Sequence, residues 1–156
     1  MAAPRTSPKE TYLFDGAELT ITLSGRDTGG QIAVIHARMP PTAGSAPHMH
    51  SREDETAYVL SGTLQIETGG EIIKVGAGES RFLPRNVPHR LSNVTDRETF
   101  MLLIATPAGF DDLCIESAKL LLANGITDGV PNAAVAPGLF EIAAKYGISV
   151  VEETAL

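Results

Sequence analysis

His48 and His50 stand two residues apart in Pro47-His48-Met49-His50. On a strand, side chains two apart leave the same face, so the two imidazoles can converge on one ion; a helix would send them apart. Glu55 follows past a short polar bend and begins a run of strand-forming residues, Thr56 to Leu60, that ends at Gly62. In a second stretch Gly78, Pro84, Asn86 and Pro88 punctuate a bend. His89 opens the strand beyond it, with Leu91 and Asn93 next on the same face, and is the natural third imidazole. Three neutral imidazoles and one carboxylate around a divalent ion leave a net charge of about plus one and open coordination positions, the arrangement of a catalytic rather than a structural site. Such a set suits iron, nickel, cobalt, manganese, copper or zinc, with selection by availability as much as by affinity. Glu55, loosely held beside such an ion, could also accept a proton from a bound enol or water.

The neighbours of this set read as scaffold. In Arg52-Glu53-Asp54-Glu55, strand parity places Glu55 with Ala57 and Val59 on one face. Glu53 and Asp54 then belong to the bend, as solvated groups or as partners of nearby backbone. The remaining histidine, His36, falls inside an apolar strand and reads as a hydrogen-bonded sheet residue, a pocket role being the alternative.

The elements that must position these groups are mostly strands. Leu19, Ile21 and Leu23 alternate with Thr20 and Thr22, and a turn over 24–30 leads to a strand from Gln31 to Met39. Beyond Gly62 a hairpin pairs Thr63–Glu67 with Glu71–Val75 around Thr68-Gly69-Gly70. Ser80–Leu83, His89–Val94 and Glu98–Thr106 complete eight or nine short strands with no helix between them, a pattern that suits a sandwich or jelly-roll barrel. After Pro107 the period changes to that of a helix. Asp111 or Asp112 can cap one that carries Leu113, Ala118, Leu121 and Leu122 inward and closes at Asn124-Gly125. A second runs from Pro137 to Gly147. The expected organisation is one domain over 1–156: an N-terminal arm (1–13, loosest over 1–10), a barrel (14–107) and a C-terminal helical segment (108–156).

The chain has 156 residues, 43% of them apolar, enough for a single sizeable core. Nineteen acidic against twelve basic side chains give a formal charge of −7, which argues against nucleic-acid or anionic-membrane binding. One cysteine cannot form an internal disulfide, so Cys114 is expected as a buried small hydrophobe on a helix, in a cytoplasmic protein. No apolar run is long enough to span a bilayer.

The spacing Gly44-x3-His48-x-His50-x4-Glu55-x6-Gly62, followed by Gly78-x5-Pro84-x-Asn86-x2-His89-x3-Asn93, resembles the two consensus motifs of the cupin superfamily. Two departures are Asn86 in place of a glycine and a leading glycine, Gly44, closer to His48 than usual. The resemblance implies a small jelly-roll barrel, all-β with C-terminal helices, a metal held by the residues matching His48, His50, Glu55 and His89, and a homodimer. Gly25-Arg26-Asp27-Thr28-Gly29-Gly30, the stretch from Pro47 to Glu55, and Thr106-Pro107-Ala108-Gly109-Phe110 look like segments of small cupins of the quercetin 2,3-dioxygenase-like kind. That likeness implies opening of a flavonol ring by dioxygen, with the glutamate taking the substrate's hydroxyl proton. The same residues would serve a redox-neutral isomerisation, dehydration or cyclisation of a polyketide-like enol, and a barrel that only binds a small ligand is a further reading.

Overall fold

The computed structural model describes residues 9–156; most of the expected arm, residues 1–8, lies outside the described residues. The strands are β1 (Thr11–Phe14), β2 (Ala17–Leu23), β3 (Ala33–Met39), β4 (His48–His50), β5 (Asp54–Ser61), β6 (Thr63–Thr68), β7 (Glu71–Gly76), β8 (Ser80–Leu83), β9 (Arg90–Ser92) and β10 (Thr99–Thr106). Helices α1 (Phe110–Ala123) and α2 (Ala136–Lys145) follow, then β11 (Ile148–Val150) and a single 3-10 turn over Glu153–Ala155. All pairings are antiparallel. One sheet runs β1-β2-β3-β10-β5-β8, another β7-β6-β9, and a third pairs β11 with β4. Isolated bridges between Gly44 and Ser92 and between His48 and His89 join the last two into one opposing layer. The result is the expected all-β jelly roll with C-terminal helices.

The burial alternates as a two-layer barrel requires. Ala33, Ile35, Ala37 and Met39 of β3 face inward, as do Glu55, Ala57 and Val59 of β5 and Thr99, Met101, Leu103 and Ala105 of β10. They meet Leu64 and Ile66 of β6, both fully buried. Truncating any of these larger aliphatic side chains to alanine would cost about 2–5 kcal/mol.

Gly62 explains the glycine that ends the first motif. Its φ is 83°, and a Cβ there would lie 2.7 Å from the carbonyl oxygen of Glu98 and 2.9 Å from Cα of Thr99, so strand β6 can leave β5 at this angle only without a side chain. Asn86, the motif's substituted glycine, adopts φ 62°, the left-handed region that asparagine tolerates.

Four expectations change. Residues 11–13, expected in the arm, belong to β1, which pairs with β2 across the two-residue turn Asp15-Gly16. The C-terminal segment is not wholly helical: Ile148–Val150 pairs with His48–His50. Asp111 is not the cap, because Gly109 holds the N-cap position of α1; its buried carboxylate instead accepts the Gly109 N–H at 3.1 Å and the Gly25 N–H at 2.8 Å, tying the 24–30 loop to the helix. Leu122 faces solvent, while Leu113, Cys114, Ala118 and Leu121 face the core. Cys114 is the buried helical residue expected, and burial raises its thiol pKa well above the usual range.

Candidate metal centre

β4 and β5 deliver His48, His50 and Glu55, and the His48–His89 bridge brings the third imidazole to the edge of β9. All four expected residues come together: one ligand atom from each of His48, His50, Glu55 and His89 lies within 4.8 Å of all the others. Ring centroids are 5.0 Å apart for His48 and His50, 4.5 Å for His48 and His89, and 5.3 Å for His50 and His89.

The outward-facing ring nitrogens explain why the rings point as they do. Nδ1 of His48 donates to the Ala46 carbonyl at 2.9 Å, and Nδ1 of His89 donates to the Val87 carbonyl at 3.1 Å. Nδ1 of His50 bonds Oε1 of Glu53 at 3.0 Å. Carbonyl oxygens can only accept, so His48 and His89 carry their protons on Nδ1 and each presents a bare Nε2 to the cluster. The carboxylate of Glu53 imposes the same tautomer on His50.

Within the cluster, Oε2 of Glu55 lies 3.4 Å from Nε2 of His89 and 3.6 Å from Nε2 of His50. These are charge contacts rather than well-made hydrogen bonds. Four buried side-chain polar atoms lack a hydrogen-bond partner among the described residues, and three are His50 Nε2, His89 Nε2 and Glu55 Oε2. Buried orphans are costly, and three converging on one point form a donor set that a divalent ion would satisfy. Burial drives the His48 ring down to about 3, with its two imidazole neighbours adding to the effect. Burial pushes the Glu55 carboxyl up, but its contacts with His89 and His50 outweigh this and bring it to about 2.

Glu53 corrects the expectation of a solvated bend. It is 1% exposed and orients His50, whereas Asp54 pairs with Arg85 at 2.8 Å near the surface. Glu53→Gln keeps the shape but no longer demands a proton on Nδ1, so metal affinity should fall about 10–100-fold, read by competition with a chromogenic chelator. An unchanged affinity would remove Glu53 from the account. His36 is half-buried on the outer face of β3, its ring 6.0 Å from that of Phe100, and takes no part in the cluster.

The cluster opens into a cavity of about 320 Å³ that His48 and Glu55 line at one end. Its wall is mostly apolar, with Leu19, Met39, Met101 and Leu113 from the barrel and first helix. Phe110, the first residue of α1, lies 5.3 Å from the His50 ring and also lines the cavity. Leu139 and Phe140 of α2 and Ile148 of β11 add to the lining. None of these was identified from the sequence, although the switch to helical period after Pro107 marks where a cover begins. The C-terminal cover is held down by Ser51, whose hydroxyl donates to the Gly147 carbonyl at 2.7 Å, and by Arg52, which donates to the Lys145 carbonyl at 2.9 Å.

Comparison with known proteins agrees with this geometry. Residues 35–105 match the family described as cupin domain. Over 71 residues the chain is 31% identical to polyketide synthase CurC of Streptomyces cyaneus, covering 46% of each chain. Over 98 residues it is 28% identical to quercetin 2,3-dioxygenase of Aspergillus japonicus, covering 58% of this chain and 28% of that one. The chain thus spans less than half the length of these two relatives. The crystal structure of the polyketide cyclase RemF from Streptomyces resistomycificus superposes with a TM-score of 0.56 at 19% identity, over 68% of this chain and 79% of that one. Matched through both motifs and folded as a jelly roll around the histidines they specify, residues 35–105 form a cupin domain.

Proposed function

We propose that the protein is a metal-dependent enzyme that moves a proton on a flat, enolisable, hydroxylated organic molecule. In this reading His48, His50, Glu55 and His89 hold one divalent ion, and Glu55 is the base. The observation that carries it is the tautomer lock: the Nδ1 atoms are engaged, so the Nε2 atoms face Glu55 beside a mostly apolar cavity. When bound, the ion would acidify an enol or phenol and offset the charge left on its oxygen. The apolar walls exclude water and favour a flat ring system, which strengthens every charge interaction at the polar end. Glu55, ionised and held only by long contacts, is free to take the proton and return it to a neighbouring carbon or oxygen.

Such a transfer suffices for isomerisation, dehydration or cyclisation, and the match to CurC supports a polyketide-like substrate. Ring opening with dioxygen is the second reading, favoured by the match to quercetin 2,3-dioxygenase. Tyr58, Leu60 and Phe82, exposed on the outer face of β5 and β8, support a homodimer through that face. The test is elemental analysis of the purified protein, then turnover of quercetin and a panel of enolisable phenolics in an oxygen electrode, with mass measured by light scattering on the same sample. Metal near one per chain and turnover without oxygen uptake would support the first reading; oxygen uptake would support the second. A protein that takes up no metal on reconstitution and turns over nothing would sink both, and a monomer would sink the dimer.

A further inference from the structure

The cavity holds a second acid that the proton transfer does not use. Asp15 lines it, at the turn between β1 and β2, and its carboxylate has no hydrogen-bond or ion-pair partner among the described residues. The backbone fixes its place: Asp15 adopts φ 52°, and the N–H of Gly16 donates to the Gly129 carbonyl. The register places it far from the cluster. Glu55 is level with Ala105 and Ala33, whereas Asp15 lies beyond Glu18, which pairs with Arg38 at the other end of β3. That separation is at most roughly 26 Å along the sheet, eight residues at about 3.3 Å each. Burial raises the Asp15 carboxyl from its ordinary range to about 7, so near neutrality it can both donate and accept a hydrogen bond.

We propose that Asp15 is the anchor for the end of the substrate remote from the imidazoles, taking a hydroxyl or phenol group, so that the cavity selects molecules carrying oxygen functions at both ends. This rests on the proposed substrate class. An apolar tunnel with a polar group at each end binds a ligand in one orientation, because reversing it strands a buried polar group without a partner.

Turn chemistry alone could account for an aspartate before Gly16, and the test separates the two roles. Asparagine and glycine both accept a positive φ, so Asp15→Asn and Asp15→Gly preserve the turn while changing or deleting the acid. The metal-loaded wild type and both variants are titrated with quercetin and with 3-hydroxyflavone, which lacks the remote hydroxyls, and metal per chain is measured in each. The wild type should prefer quercetin by about tenfold or more, Asp15→Asn should keep part of that preference, and Asp15→Gly should lose it with metal content unchanged. A preference that survives in Asp15→Gly, or none in the wild type, overturns the role of Asp15 and leaves the substrate class standing. Failure of the wild type to bind either flavonol overturns the substrate class and this inference with it.

Discussion

Exchanging Glu55 for glutamine should lower turnover by about 10²–10⁴-fold while the fold is retained, with assays run at saturating metal. The side chains are nearly the same shape, and Glu55 is 2% exposed between two imidazoles, so the change is electrostatic rather than steric. A glutamine can neither accept the proton nor contribute charge to the ion. Stability should respond as well, with a definite sign. The Glu55 carboxyl is at about 2 in the folded chain against an ordinary 4.5, so its contribution is present above 4.5 and lost as pH falls toward 2. Asp15 works the other way: raised to about 7, it makes the folded chain less stable as pH climbs from its ordinary value through 7. Denaturant melts across pH should therefore show Glu55→Gln less sensitive to acid than the wild type. Turnover within tenfold of wild type at full metal occupancy would exclude Glu55 as the base.

What the sequence revealed and what it concealed follow from the range of the interactions. His48 and His50 were legible because a period of two is a local property of a strand, and Glu55 because its parity agrees with Ala57 and Val59. Glu53 was misjudged because charged bends are usually solvated; its burial depends on how the 51–53 bend folds back on the His50 ring. Strand β1 carried a readable signal, since Asp15-Gly16 is the dipeptide of a two-residue hairpin turn, but Thr11 to Phe14 lack the alternation that would have marked them as paired. β11 was hidden for a different reason. Three residues after Gly147 carry no periodic signal, and only pairing with the His48–His50 strand, far away in sequence, makes them a strand. Asn93, read only as the next residue on the face of His89, is a buried hub: its amide donates to the Met39 and Arg97 carbonyls while its Oδ1 accepts from Thr95. That role follows from a loop geometry that spacing does not encode.

His48→Ala and His89→Ala should each abolish metal retention, with affinity reduced by about a thousandfold or more as one ligand of four is lost. The two positions fail differently as structures, which is why both are needed. His89 is 1% exposed and anchored through Val87, so its truncation opens a cavity and costs some stability whatever its chemistry. His48 is only half-buried, and its removal relieves a ring that burial keeps neutral. A readout taken within each variant separates ligand loss from folding damage: the gain in melting stability on adding metal over chelator. For the wild type that gain is about 4 kcal/mol when free metal exceeds the dissociation constant a thousandfold. It should vanish in both variants even though their chelated baselines differ. His36→Ala is the control, because that imidazole lies on the outer face of β3 beside Phe100, and its metal-dependent gain should equal that of the wild type. Full occupancy in His48→Ala or His89→Ala would sink the ligand assignment. A lost gain in His36→Ala would instead mean that the metal-dependent stability arises elsewhere than at the cluster.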